Sequence, residues 1–99
     1  LLATRRPRSP KDARIWAAHF VTEPTGAAAN LSRFEFETDR AKFIGRGRDA
    51  STPVALEGEL SGTAGAVLDP VFSVRRRLIL EPGARVQLAF VTAAGDSRE

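Results

Sequence analysis

Cysteine is absent from the 99 residues, which excludes disulfide staples and thiolate metal sites and is compatible with a reducing compartment without requiring one. The single histidine, His19, cannot assemble the usual zinc sites, so no metal is expected. No Ser or Cys motif lies near it to complete a triad. There is no run of ~20 apolar residues, so no membrane-spanning helix is expected in this segment. The opening Leu1-Leu2-Ala3-Thr4 is too short for the apolar region of a signal peptide. Lysine is scarce: thirteen Arg stand against two Lys, a bias that an Ala- and Arg-rich genome explains as readily as function does. What remains is 42% hydrophobic with a net charge of +3. That is enough for a core, too apolar for a disordered tail, and suits one domain, residues 1–99.

Period-2 patterning dominates the chain and predicts strands. Over Ile15 to Val21, Trp16, Ala18 and Phe20 share one face, and Ile15, Ala17, His19 and Val21 the other. Both faces are apolar, so cover on both sides is expected. His19 there reads as a packed, hydrogen-bonded residue, and Trp16 as core rather than a sugar platform. Glu23-Pro24-Thr25-Gly26 is a turn signal. Arg33 to Thr38 is a second strand, with Phe34 and Phe36 facing the core and Glu35 and Glu37 facing water. Thr38 or Asp39 then caps a short helical turn whose apolar side is Phe43 and Ile44, broken by Gly45 and Gly47. Asp49 to Pro53 is a cap or a loop, Gly62 to Gly65 a flexible small-residue stretch, and Asp69-Pro70 a further break. Val71 to Leu80 and Arg85 to Thr92 read as a hairpin around Glu81-Pro82-Gly83-Ala84. Its inward residues are Phe72, Val74, Leu78 and Leu80 on one strand, and Val86, Leu88 and Phe90 on the other. Arg76 falls on the apolar face, where it snorkels or pairs with Glu37 or Asp69. The fold class is therefore all-β, an antiparallel β-sandwich.

The pattern offers one polar cluster with binding chemistry: Asp39, Arg40, Arg46 and Arg48 around the glycine-broken turn. Planar guanidinium forks pair bidentately with phosphate or with vicinal hydroxyls. The competing reading is a solvated turn whose charges pair among themselves. Glu35 and Glu37 lie about 7 Å apart along one strand face, superficially the spacing of an inverting glycosidase pair. Such a pair must flank a bond across a cleft, so no catalytic residue is assigned in this chain. Arg75-Arg76-Arg77 alternate faces on a strand and lack interleaved aromatics, so nucleic acid is not an expected partner.

Phe36-Glu37-Thr38-Asp39-Arg40 followed by Phe43-Ile44-Gly45-Arg46 resembles glycoside hydrolase family 94, formerly glycosyltransferase family 36. Leu60 to Arg76 and Leu80 to Thr92 continue the resemblance in the family's order, over nearly the whole chain. With the opening Arg5-Arg6-Pro7-Arg8-Ser9-Pro10 it is closest to the cyclic β-1,2-glucan synthase branch. The resemblance implies a segment of a galactose-mutarotase-like supersandwich, excised from a larger multidomain enzyme. Leu1 in place of an initiator Met, and an ending at the start of a linker helix, fit that expectation. The segment would support a catalytic (α/α) barrel that carries the acid and would help subunits pair. It would contact β-glucan or phosphate near the barrel through Asp39, Arg40, Arg46 and Arg48, with no cofactor of its own. The parent is expected at the cytoplasmic side of a bacterial inner membrane, anchored by segments outside this chain. Open sheet edges predict self-association. The alternative from another class is a free-standing carbohydrate-binding or protein-interaction β module.

Overall fold

A computed structural model of the chain describes residues 1–22, 30–31 and 34–98. It divides into two compact units, one built from the two ends of the chain and one from residues 28–83. Among the described residues all paired strands are antiparallel and helix is confined to short turns, as the alternation predicts.

The first unit is a three-stranded sheet of β1 (Leu2–Thr4), β2 (Trp16–Val21) and β7 (Phe90–Gly95), with β2 in the centre. The register sets Leu2 opposite Ala18, Trp16 opposite Gly95 and Val21 opposite Phe90. The ammonium of Leu1 donates to the His19 carbonyl at 2.6 Å, and the His19 N–H returns to the Leu1 carbonyl at 2.8 Å. His19 is hydrogen-bonded as expected: its Nδ1 lies 2.8 Å from Thr92 Oγ1 on the neighbouring strand. Trp16 is half-buried, with the Arg98 guanidinium 5.9 Å from its ring centre.

The hairpin expected between Val71–Leu80 and Arg85–Thr92 is not formed by these two segments. Each pairs elsewhere: β7 lies along β2, while β5 (Pro70–Arg75) lies along β4 (Glu35–Asp39) and β6 (Leu78–Ile79) along β3 (Asn30–Leu31). A Pro-Gly turn permits a reversal, but long-range pairing chooses the partner. The face assignment changes with it. Phe90 is 55% exposed, and Leu80 is exposed too, where both had been placed inward. The turn signal at Glu23 to Gly26, and the start of the second strand at Arg33, lie outside the described residues.

In the second unit, β4 pairs with β5 so that Glu35 faces Arg75 and Phe36 faces Val74. The strand is inside out relative to its hydropathy. Glu37 is 2% exposed and Glu35 8%, while Phe34 is exposed and Phe36 only half-buried. The physical reason is that polar backbone, rather than a greasy layer, covers the glutamate face. Segment 53–63 folds over it, Gly62 donating to the Phe36 carbonyl at 2.9 Å and Thr38 Oγ1 to the Thr63 carbonyl at 2.6 Å. Thus Gly62 and Thr63 run along β4 instead of forming a free loop. On the other face the Phe34 and Phe36 rings lie 6.2 Å apart and tilted, with the Arg76 guanidinium 5.4 Å above Phe34. Arg76 therefore stacks on an aromatic ring. The carboxylates suggested for it are held by other groups, Glu37 by Ser61 and Asp69 by Arg40.

After β4 the chain turns into the expected helical turn, α1 (Arg40–Ile44). Asp39 caps it, its Oδ1 accepting from the Ala41 N–H at 3.0 Å. Gly45 ends it at φ 87° and ψ 160°, a conformation close to glycine-only. A Cβ at Gly45 would also fall 2.7 Å from Cγ1 of Val54, in the 3-10 turn Val54–Leu56 that follows buried Pro53. Gly45→Ala therefore meets both strain and overlap, and we expect it to lower stability by about 2 kcal/mol. Gly47→Ala, where the same atom would meet nothing within 4 Å, is the control and should cost less in a urea titration.

Candidate functional site

The polar cluster is assembled by the end of β4, α1 and the start of β5. Pairing of Asp39 with Pro70 and a hydrogen bond from the Arg40 N–H to the Asp69 carbonyl at 3.0 Å bring Asp69 beside the helical turn. The Arg40 guanidinium then meets the Asp69 carboxylate at 3.3 Å, both side chains more than half exposed. Arg40, Ile44, Gly45, Arg46 and Asp69 line an open groove of about 350 Å³. Arg46 is exposed and has no hydrogen bond or ion pair among the described residues.

The other two residues of the cluster have local engagements. The Asp39 carboxylate caps α1. Arg48 pairs bidentately with Glu57, at 2.5 Å from Nη1 and 3.0 Å from Nη2, and reaches the Thr52 carbonyl at 3.4 Å. The charge-assisted bonds hold the Glu57 carboxyl below the usual glutamate range and raise Arg48. Asp49, which accepts from the Ser51 N–H at 2.9 Å and from its hydroxyl, is lowered in the same way. The turn that carries Arg46 is thus braced by Asp39 on one side and by Arg48 on the other. What this arrangement can do chemically is donate from two guanidinium forks and accept at one carboxylate, which is the complement of a polyhydroxylated or phosphorylated ligand.

The sequence suggests Asp69 as a partner for Arg76, whereas the structure sets it against Arg40 in the polar cluster. Its place depends on which strands pair, and the Asp-Pro step looked like a simple break. The buried glutamates were also misplaced. Glu37 Oε1 accepts from the Thr38 and Asp39 N–H groups at 3.0 Å each; its Oε2 accepts from the Ser61 N–H at 3.3 Å and from the Ser61 hydroxyl. Burial pushes this carboxyl up, but the bonds from Ser61, Asp39 and Thr38 outweigh it and bring it below the usual range. Ser61 Oγ sits 2.7 Å from Thr63 Oγ1, which takes a bond from Lys42 Nζ at 2.9 Å, so a chain of hydroxyls joins the buried carboxylate to a surface ammonium. Glu35 is held by Arg75 at 3.5 Å and lies 3.8 Å from Arg77, while Arg75 also donates to the carbonyls of Gly58, at 2.7 Å, and Ala55. Both glutamates are committed to donors that bind the 53–63 segment to the sheet. Among the described residues no group of His, Cys, Asp and Glu is placed to hold a metal ion, and no helix is long and apolar enough to cross a membrane.

Antiparallel strands joined through a capped turn, with arginine side chains lining a shallow groove at its tip, make this an all-β chain. The chain belongs to the glycosyl hydrolase 94 supersandwich domain family, whose model matches residues 1–99. It is 39% identical over 98 residues to the cyclic beta-(1,2)-glucan synthase NdvB of Rhizobium meliloti (strain 1021), a match that covers 97% of this chain. It spans 3% of that protein's length. No solved structure matches it.

Proposed function

We propose that this chain is a non-catalytic supersandwich segment of a longer carbohydrate-active enzyme of the cyclic β-1,2-glucan synthase type. The observation that carries the proposal is the 39% identity along almost the entire chain to a small part of such a synthase. In that setting the segment supports a catalytic barrel and helps subunits pair. Its surface suits such a role: Ala55 is the only hydrophobic residue buried among the described ones, while Leu56, Leu68 and Ile79 are 75%, 107% and 63% exposed. Large apolar side chains left in water are a cost that a covering partner removes. In the isolated chain a second copy is the nearest cover, so light scattering should give a mass that rises above the monomer with concentration. A monomeric mass over a hundredfold concentration range would contradict the pairing role.

Within the segment, the groove of Arg40 and Arg46 is the part proposed to contact β-glucan or phosphate, with Asp39 and Arg48 holding the turn in shape. Arg46 carries the sharper test, because it is exposed and uncommitted. In the full-length enzyme Arg46→Ala should lower kcat/KM for glucan or phosphate use by about tenfold, the loss of one charge-assisted bond. In the 99-residue chain it should leave the melting curve within error of the parent curve. Unchanged kinetics together with a destabilised chain would make Arg46 structural and remove it from the site.

A further inference from the structure

Charge is unevenly spread along the chain. Residues 5–14 hold five of its fifteen basic side chains (Arg5, Arg6, Arg8, Lys11 and Arg14) and one of its twelve acidic ones, Asp12. The remaining residues hold ten basic and eleven acidic groups, close to neutrality. A compositional preference for arginine accounts for which cation is used, but not for this concentration of net charge in a tenth of the chain.

The loop that carries these cations joins β1 to β2, and its base is closed by a hydrogen bond from Thr4 Oγ1 to the Ile15 carbonyl at 2.9 Å. Its one carboxylate is turned onto the backbone. Asp12 Oδ2 accepts from the N–H groups of Arg8 and Ser9 at 2.9 and 3.0 Å, and the Asp12 N–H returns to the Ser9 carbonyl at 3.0 Å. Lys11 N–H adds a bond to Ser9 Oγ at 3.2 Å. All five cations are exposed, and none has an ion pair or a side-chain hydrogen bond among the described residues. The loop's one carboxylate thus braces its backbone, and with five cations against one anion the loop keeps a net charge of +4. Ile15, at its foot, is 58% exposed.

We propose that this loop is a docking surface for an anionic phospholipid membrane, with the arginine forks on headgroup phosphates and Ile15 at the boundary with the acyl chains. The side chains present can make such a contact, since an arginine fork matches phosphate oxygens bidentately. The loop contains no aromatic residue on which a nucleic-acid base could stack. A basic cluster beside an exposed aliphatic side chain is the composition that binds charged bilayer interfaces. The surface is remote in kind from the groove of Arg40 and Arg46, since it takes a charged surface rather than a single polar ligand, and it does not depend on the function proposed for that groove.

Co-sedimentation of the 99-residue chain with vesicles tests this. Binding is expected to vesicles containing phosphatidylglycerol in phosphatidylcholine at low salt, and not to phosphatidylcholine alone. It should fade as added salt shortens the screening length. Each cation removed should weaken partitioning about fivefold, so the triple change Arg5→Gln, Arg6→Gln, Arg8→Gln should cost roughly a hundredfold. Ile15→Ser should weaken binding by a smaller factor that salt does not change. These side chains are exposed, and circular dichroism should match the parent chain for every variant. Equal binding to neutral vesicles, no binding to anionic ones, or an unchanged affinity in the folded triple variant would overturn the proposal. So would a single-stranded oligonucleotide that displaces the chain from vesicles at equal phosphate concentration.

Discussion

Glu37→Ala is expected to lower the unfolding free energy by about 2 kcal/mol, because it strands several partly buried donors at once. The Thr38 and Asp39 N–H groups, the Ser61 N–H and the Ser61 hydroxyl all point at this one carboxylate, which is 2% exposed. A loss of that size is a large share of the ~5–15 kcal/mol that holds an ordinary domain together. Glu37→Gln separates charge from shape, since it keeps one carbonyl oxygen for the Thr38 and Asp39 donors but turns an amide toward Ser61. The same residue sets a pH dependence. Its folded carboxyl titrates below the usual glutamate range, so the unfolded chain binds the proton more readily. The stabilisation is complete above the usual glutamate range and is lost as pH falls through the lower, folded value. Urea titrations of the parent and Glu37→Gln chains at neutral and acidic pH should show their difference shrinking on acidification. A difference that stays constant would mean that the carboxylate form contributes nothing.

The second large effect is at Arg75, whose replacement by Met should cost about 2–3 kcal/mol although the aliphatic stem is kept. Its guanidinium binds the Ala55 and Gly58 carbonyls and Glu35, so it ties the 3-10 turn to β5 and balances a carboxylate that is 8% exposed. Removing it leaves Glu35, among the described residues, only the more distant Arg77 at 3.8 Å. A buried charge without its partner is costlier than a neutral pair. Glu35→Gln combined with Arg75→Met should therefore be less destabilised than the two single changes added together, by about 1–2 kcal/mol. Strict additivity in this double-mutant cycle would show that the two side chains act separately. Hydrogen exchange should place the loss locally, with faster exchange at Leu56 and Glu57, whose N–H groups bond the Pro53 and Val54 carbonyls.

Signals local to a few residues were readable from the amino-acid order. The β2 and β4 strands, the Asp39 cap, the Phe43–Ile44 turn and its glycine stop all depend on neighbours in sequence, where backbone sterics and short hydrogen bonds operate. So did the polar groove in part. Arg40 opens one helical turn and Arg46 follows it, and they line the groove together, whereas Asp69, their acidic counterpart, comes from 23 or more residues further along the chain.

Alternation alone decided that Glu35 and Glu37 share one face of β4 and Phe34 and Phe36 the other, because a strand repeats every two residues. Which of those faces is inside was settled by the segment that packs on it. A layer of backbone N–H groups, Ser61 and Arg75 makes a carboxylate the better-solvated choice, and the phenyl rings are left to each other and to Arg76. Strand pairing was settled in the same way. The Pro82-Gly83 turn is compatible with a hairpin, yet β7 lies along β2 and β5 along β4, since partners far apart in sequence compete on total hydrogen bonding and burial rather than on turn chemistry. Period and capping are properties of adjacent residues; inside and outside, and the choice of neighbour, belong to the assembled sheets.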